Sequence, residues 1–356
     1  MRIQGVDYNL RTMIQNRGVA WFQQHIMGTL MESVNSTPPI LTPEDFSIRE
    51  LFEAVDSRDF PVITGELLSR RMIASYNMAA RVGDTLVERM PSNKKTERIP
   101  GFERTNGMKP VNEGMPYPHT ARIDEKYVDV ESEKKGQILD VTEEAIRFDQ
   151  TGQLLREAAQ IGEDAAMDRE YEIIMTVTDQ TGYKAWHPGG SQVDLYQNAT
   201  TAPHEYDNLI TNILSDHTDL DAAIQLFAGL KNKNGRPIVV NPTTLLIPSA
   251  LEMTGSQLLA SPVDVNKYNA VPNPVKGKYT IVSTPMLDAI SPVQWYLGNF
   301  KRQFVWVEVI PFQVLTRKRG TEDDWNRDVV ASYKCRWFGK CAATDYIYVV
   351  KSLGTT

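Results

Sequence analysis

Read from the N-terminus, apolar residues recur first at helical spacing. Val19, Phe22, Ile26, Leu30 and Val34 fall every three or four positions between Leu10 and about Val34, and Trp21, Met27 and Met31 widen the stripe. The pattern predicts an amphipathic arm that needs something to cover it. Pro38, Pro39 and Pro43 follow, and proline has no N–H with which to continue a helix. FSIRELFEAV and ITGELLSRRMIASYNMAARVG carry the same period and predict two further helices. The clearest helix runs from about Gly152 to Val177. Leu154, Leu155, Ala158, Ala159, Ile161, Ala165, Ala166, Ile173 and Ile174 lie along one side, and Asp149 or Thr151 is placed to cap it. At ~1.5 Å per residue it would reach close to 40 Å, longer than a small domain needs.

Between Lys94 and Lys135 the pattern changes. Of these 42 residues 17 are charged, 9 basic and 8 acidic, so the stretch supplies little core of its own. Prolines and glycines punctuate its first half, while YVDVESEKKGQILDV alternates as strands do. A long, two-faced, solvated hairpin fits. An isolated hairpin is marginal in water, which points to a segment that lies against another molecule; a flexible surface loop is the competing reading.

After the polar stretch TGYKAWHPGGSQVDLYQNATTAP, a mixed α/β region begins. Thr218 followed by Asp221 predicts an N-terminal box for the helix DAAIQLFAGL, and Asn234-Gly235 supplies the pair favoured in tight hairpins. RPIVVNPTTLLIP reads as β, and Ser249-x-x-Glu252 as a capping box opening a helix to about Ala260. KYTIVST, VQWYLGN, QFVWVEVI, FQVLTRKR, DVVASYKCRWFG and ATDYIYVV are strand candidates, so the last third is mostly β. The fold class is α+β.

Composition narrows the function. The 356 residues are 41% hydrophobic and 23% charged, an ordinary globular balance that supports a sizeable core and either two or three units or one interwoven fold. The net charge of −7 argues against a protein whose main work is gripping phosphate backbones. Two cysteines, Cys335 and Cys341, give no disulfide framework and too few ligands for a structural zinc site, and read as buried thiols. The start MRIQGVDYNLRTMIQNRG is interrupted by polar residues and predicts no secretory signal, and no apolar run approaches the ~18 residues of a membrane span. The expectation is a chain without membrane or cofactor.

Candidate chemistry is sparse. Phosphate-binding loops, the Rossmann turn, the nucleophile elbow and the H-E-x-x-H zinc helix do not occur. Asp216, His217, Asp219 and Asp221 could ligate a metal by type, but acidic residues at a helix start are also what capping and the macrodipole favour. Lys334, Arg336 and Trp337 could stack nucleic-acid bases; alternation along a half-buried strand is the simpler reading. Glu143-Glu144 and Asp323-Asp324 are adjacent and so diverge in a helix or a strand, which leaves no visible acid–base site.

The order of parts, an arm, a charged hairpin, one long helix, a mixed lobe and a β-rich return, resembles the tailed-phage major capsid proteins of the Hong Kong 97 capsid fold. KKGQILDVTEEAIRFDQTGQLLREAAQIGEDAAMDRE resembles the end of that family's extended loop running into its spine helix. TTLLIPSALEMTGSQLLAS and NPVKGKYTIVSTPMLD resemble its axial lobe, and ERIPGFERTNGMKPVNEGMPYP the outgoing half of the loop. The resemblance covers most of the chain from about Phe60 onward. It implies an N-terminal arm at 1–60, a helical segment joining the peripheral domain at 61–92, the extended loop at 93–145, a peripheral domain at 146–200 and 291–356 with the spine at about 152–177, and an axial domain at 201–290.

The same resemblance implies a structural protein, not an enzyme, that assembles with copies of itself as pentamers and hexamers into an icosahedral shell. The shell would enclose double-stranded DNA without sequence-specific binding, and the modest acidity suits a lining that does not hold the polymer tightly. It implies scaffold, protease, portal or decoration proteins as further partners, and a place in the virion after assembly in the host bacterial cytoplasm. Trp21 and Phe22 on the arm, and Arg98, Arg104, Glu113, Arg122, Glu131 and Lys134 on the loop, become the expected intersubunit contacts. A nanocompartment shell of the encapsulin type, holding protein cargo, is the alternative with the same fold. A metal-dependent hydrolase using Asp216, His217 and Asp219 is the alternative of another class.

Overall fold

The computed structural model describes residues 2–3, 6–7, 60–101, 110–117, 126–142, 144–145, 153–184, 186–188, 191–198, 206–231, 236–262, 272–317 and 328–355. The stripe from Leu10 to Val34, the FSIRELFEAV helix, the caps Asp149 and Thr151, the Asn234-Gly235 turn, Glu143 and Asp323-Asp324 lie outside the described residues. In chain order the elements are β1 (Arg2–Ile3), β2 (Val6–Asp7), α1 (Phe60–Met78), α2 (Gly83–Leu86), β3 (Glu88–Pro91), β4 (Thr96–Gly101), β5 (Lys126–Glu131), β6 (Glu133–Thr142) and α3 (Gln153–Val177). Then follow β7 (Leu209–Ile210), α4 (His217–Gly229), β8 (Thr244–Pro248), α5 (Glu252–Ala260), β9 (Thr280–Thr284), α6 (Pro285–Asp288), β10 (Trp295–Gly298), α7 (Phe300–Gln303), β11 (Phe304–Arg317), β12 (Val329–Ala343) and β13 (Val349–Ser352). Helix and strand are mixed throughout, as expected for an α+β chain, and the long helix spans 25 residues where about 152–177 was expected. Among the described residues no helix is long and apolar enough to cross a membrane.

The chain divides into two compact units. The first comprises 1–80, 134–169 and 310–338; the second 81–133, 170–309 and 339–356. In the first unit, the outer parts of β11 and β12 and strand β6 lie side by side. Helix α1 turns Leu68, Met72 and Tyr76 inward at four-residue spacing, the period that keeps side chains on one face. Tyr76 stacks on Phe312 with ring centroids 4.2 Å apart, and the Cys335 thiol lies 3.4 Å from the Met72 sulfur. Against α1 packs the first part of α3, where any side chain at Gly162 would collide with the Met72 carbonyl. The missing Cβ is what lets the two backbones approach.

Strand β11 runs unbroken through Pro311, where the sequence predicts two strands separated by that residue. Strand β3 pairs only with Val305–Glu308. Beyond Glu308 that side of β11 has no paired strand among the described residues, and a residue lacking an N–H is tolerated there.

In the second unit five strands take the order β7-β13-β10-β8-β9. β10 is antiparallel to both β13 and β8, while β8–β9 and β13–β7 are parallel. Both faces of the central strands are covered, so TLLI in β8 and WYLG in β10 are apolar runs without alternation. One face meets α4 and α5 in a core that includes Leu220, Phe227, Leu258, Ile247 and Trp295.

Two helix starts differ from expectation. Helix α4 begins at His217 and not after Thr218: Asp216 is the cap, its carboxylate accepting from the His217 N–H, while Asp219 accepts from the Asp216 N–H at 2.9 Å. At Ser249 the expected box is absent. Ser249–Leu251 form a 3-10 turn with no side-chain cap, and the Ala250 N–H donates instead to Asp288 of α6 at 3.1 Å. A carboxylate from another element displaces the local solution.

Both cysteines are buried thiols outside any disulfide, as the sequence suggests. Burial pushes the Cys335 thiol up to about 11 from 9.0. The unfolded chain ionises near pH 9 while the folded one keeps its proton until about 11, so this group's contribution to stability is lost as pH rises through that window. Alkylation of Cys335 at pH 9 is expected to be about 50-fold slower in the folded protein than in urea from the thiolate fraction alone, since thiolate is the nucleophile; mass spectrometry of the labelled peptide reads this, and equal rates would contradict it.

Candidate interaction surface

The charged hairpin is the feature for which a core role is least able to account. It is built in the second unit, rooted by Ser92, whose N–H donates to the Glu308 carbonyl at 2.9 Å and whose hydroxyl donates to Glu97 at 2.7 Å. β4 and β5 are antiparallel with Arg98 opposite Asp129, Thr96 opposite Glu131 and Ile99 opposite Val128. Period-2 alternation then sorts the faces. Val128 and Val130 are buried, and Val128 bridges to Pro188, so the expectation of two solvated faces is corrected: one face packs on its own chain.

The other face is a ladder of charges. Arg98 grips Asp129 through Nε at 2.8 Å and Nη2 at 3.0 Å, and its guanidinium lies 4.0 Å from the centre of the Tyr127 ring. Lys95 Nζ sits 2.7 Å from Glu131. The hydrogen bond from Arg98 holds the Asp129 carboxyl below its usual range, and the bond from Lys95 does the same for Glu131. Sequence reasoning selects Arg98 and Glu131 as contacts; each is exposed and already holds a partner on the adjacent strand. Such a face offers a stiff, pre-neutralised ribbon rather than loose charges.

Within the excursion between β4 and β5, residues 110–117 form a turn. The Met115 N–H donates to the Asn112 carbonyl at 3.1 Å and Gly114 has φ +79°, the left-handed value that a type II turn needs at that position. The turn presents Glu113, with Met115 63% exposed and Tyr117 83% exposed. Lys134 is exposed on β6. Trp21, Phe22, Arg104 and Arg122 lie outside the described residues.

The competing sites dissolve into structure. Asp216, His217 and Asp219 are spent on capping α4, the Asp219 carboxylate also taking the Ser215 hydroxyl at 3.0 Å; among the described residues no three His, Cys, Asp or Glu side chains are grouped to hold a metal ion. Trp337 is buried and Lys334 exposed, the alternation of a half-buried strand.

The family model of the phage capsid proteins matches residues 126–352, from the second hairpin strand to the last strand of the second unit. The chain belongs to the phage capsid protein family. Among solved structures, this capsid protein is similar to the capsid of an empty GTA particle computed with C5 symmetry, at 10% identity, covering 78% of this chain and 92% of that one with a TM-score of 0.51. The native GTA particle's capsid gives the same identity and coverage with a TM-score of 0.50. The virus-like particle from Pyrococcus furiosus is 13% identical, covering 81% of this chain and 98% of that one, with a TM-score of 0.46. No curated protein matches the sequence. The Hong Kong 97-like class of fold expected from the resemblance is the class observed.

Sequence reasoning misses several residues that position this capsid protein's surface. Glu170 and Glu172 lie on α3 outside the apolar positions picked out from the sequence, yet both are buried. Asn208, also buried, donates to the Leu195 and Tyr346 carbonyls and accepts from the Gln197 N–H at 2.8 Å. No spacing rule points to an isolated Asn just before a two-residue strand.

Proposed function

We propose that this chain is the major capsid subunit of a tailed bacteriophage, assembling with its own copies as pentamers and hexamers into an icosahedral shell around double-stranded DNA. The observation that carries the reading is the capsid family match over residues 126–352, which includes both the returning hairpin strand and the five-stranded sheet. In this reading 93–145 reaches across a neighbouring copy, the arm at 1–60 covers another, and 201–290 is the lobe that meets its copies at the symmetry axes, on a peripheral domain at 146–200 and 291–356. The capsid of the empty GTA particle, similar in fold, was computed with C5 symmetry, which supports a five-fold arrangement of this chain's copies. One chain closes both five- and six-membered rings when its contacts tolerate small changes of angle, and excursions tethered at one end supply that tolerance. The role is structural, without catalysis or cofactor, in the virion, after assembly in the host cytoplasm; scaffold, portal or decoration proteins would bind the same shell. Electron microscopy of the purified full-length chain tests it: closed shells or capsomer rings are expected, and a monodisperse monomer under all assembly conditions would overturn the reading.

A further inference from the structure

The long helix α3 ends on a residue that local preference does not favour. The Asp179 N–H donates to the Thr176 carbonyl and the Gln180 N–H to the Met175 carbonyl, both at 3.1 Å, the paired bonds of a left-handed helix end that glycine usually supplies. Here the turning residue is Asp179, with φ +57°, a conformation in which a Cβ is crowded. Its side chain accounts for the choice. One carboxylate oxygen accepts from the Leu195 N–H at 2.7 Å; the other is buried and accepts no hydrogen bond among the described residues.

A cation closes the same end from the last strand. Lys351 of β13 donates from Nζ to the Thr178 carbonyl at 3.3 Å and lies 5.6 and 5.7 Å from the ring centres of Tyr196 and Tyr296. Tyr296 is its partner across the sheet on β10, and the Tyr196 hydroxyl donates to the Val177 carbonyl at 2.8 Å. Three stretches far apart in the chain thus meet on the last turn of α3, all within the second unit. Asp179 and Lys351 face one another and Lys184, itself ion-paired with Asp194. Burial pushes both phenols above their usual value, so they stay neutral. Burial also raises the Asp179 carboxyl and lowers the Lys351 amine, by more than their mutual attraction opposes, so each charge is better solvated once the contact opens. A left-handed aspartate, a carboxylate oxygen without a donor and two desolvated charges coincide at one point, and such coincidences cluster at switch points.

We propose that this helix end is a latch with two positions. In the open one Asp179 releases the Leu195 N–H and Lys351 the Thr178 carbonyl, while the central strands of the sheet stay paired. The latch is loosest where both groups are charged. A carboxyl whose pKa is higher in the closed form than in water stabilises that form fully below the ordinary carboxylate range, and the contribution is lost as pH rises through the raised value. Acidification therefore tightens the latch. The device belongs to the single subunit and stands independently of shell assembly.

Amide hydrogen exchange of the full-length, unassembled chain at single-residue resolution reads the opening. Leu195 is expected to exchange through a local opening, faster than the amides of β8 and β10. Its protection, corrected for the intrinsic rate, should rise as pH falls from about 7 to about 4. Asp179→Asn keeps an acceptor oxygen and suits the left-handed turn, and should abolish that rise. Lys351→Met alone leaves Asp179 without its counter-charge and should speed Leu195 exchange about 10-fold; Asp179→Asn combined with Lys351→Met should slow it about 10-fold relative to wild type, with β8 and β10 unchanged. Leu195 exchanging only together with β8 and β10 would overturn the latch. Wild-type protection that does not change with pH, or a double variant no slower than wild type, would overturn the role of the charges. The wild-type series needs no substitution, so it decides even where a variant does not fold.

Discussion

Replacing Trp295 by alanine is expected to lower the stability of the second unit by about 4 kcal/mol, within the range measured for large aromatic deletions in cores. Trp295 is fully buried at the start of β10, inside the cluster that joins α4 and α5 to the sheet. Its indole N–H donates to the Asn212 carbonyl at 2.9 Å. That carbonyl also accepts from the Ser352 hydroxyl, so the truncation leaves it one partner, and the void dominates the cost. For a unit of this size the loss corresponds to an unfolding midpoint lower by roughly 10 °C. Trp295→Phe fills most of the volume and should cost about 1–2 kcal/mol. Near-ultraviolet circular dichroism of unassembled subunits during heating measures both, and an alanine variant that melts with the wild type would refute the assignment of this residue to the core.

Glu170→Ala is the second large effect expected, about 3 kcal/mol. The Glu170 carboxylate accepts from the Val82 N–H at 3.0 Å and from the Gly83 N–H at 2.8 Å. It thereby caps the start of the short helix α2 with a charge that the backbone dipoles favour. Removing it strands two backbone donors in a buried place, each costing about 1–3 kcal/mol, offset by no longer burying a carboxylate. A packing effect alone would not single out particular amides. Hydrogen exchange at Val82 and Gly83 should therefore accelerate far more than at the buried strands β8 and β10. Glu170→Gln keeps one acceptor oxygen and should fall between the two. Uniform exchange across the unit would show that the residue merely fills space.

Much of this was legible in the chain itself. The helix from about 152 to 177 was, because its apolar residues hold one period for more than twenty positions. The central strands β8 and β10 were also legible, because short apolar runs bounded by Pro, Asn and Gly are strand-sized. The charged character of the hairpin was visible too, but not the fact that one face is buried. Val128 and Val130 alternate with Asp129 and Glu131 in a pattern that suits a solvated ribbon equally well until a surface bearing Pro188 is brought beneath it.

Local rules failed where a distant group replaced a nearby one. Ser249-x-x-Glu252 satisfies the spacing of a capping box, yet Asp288 reaches the Ala250 N–H from across the fold. Conversely, Asp216 and Asp219 had the composition of a metal site and the geometry of a cap. Residue type fixes what a side chain can do; the partner it meets fixes which of those things it does.

By itself the sequence determined the alternation of helix and strand, the extended spine, the charge-rich excursion and the family resemblance, because all of these depend on contacts between residues close in the chain or on long ordered strings. Only the tertiary structure decided which charges of the excursion are spent within the hairpin, that Glu170 and Glu172 are buried, and that Ile138, Leu315 and Lys334 are left exposed on β6, β11 and β12. These depend on side chains separated by tens to hundreds of positions, whose meeting is set by how sheets and helices pack, and no local period encodes it.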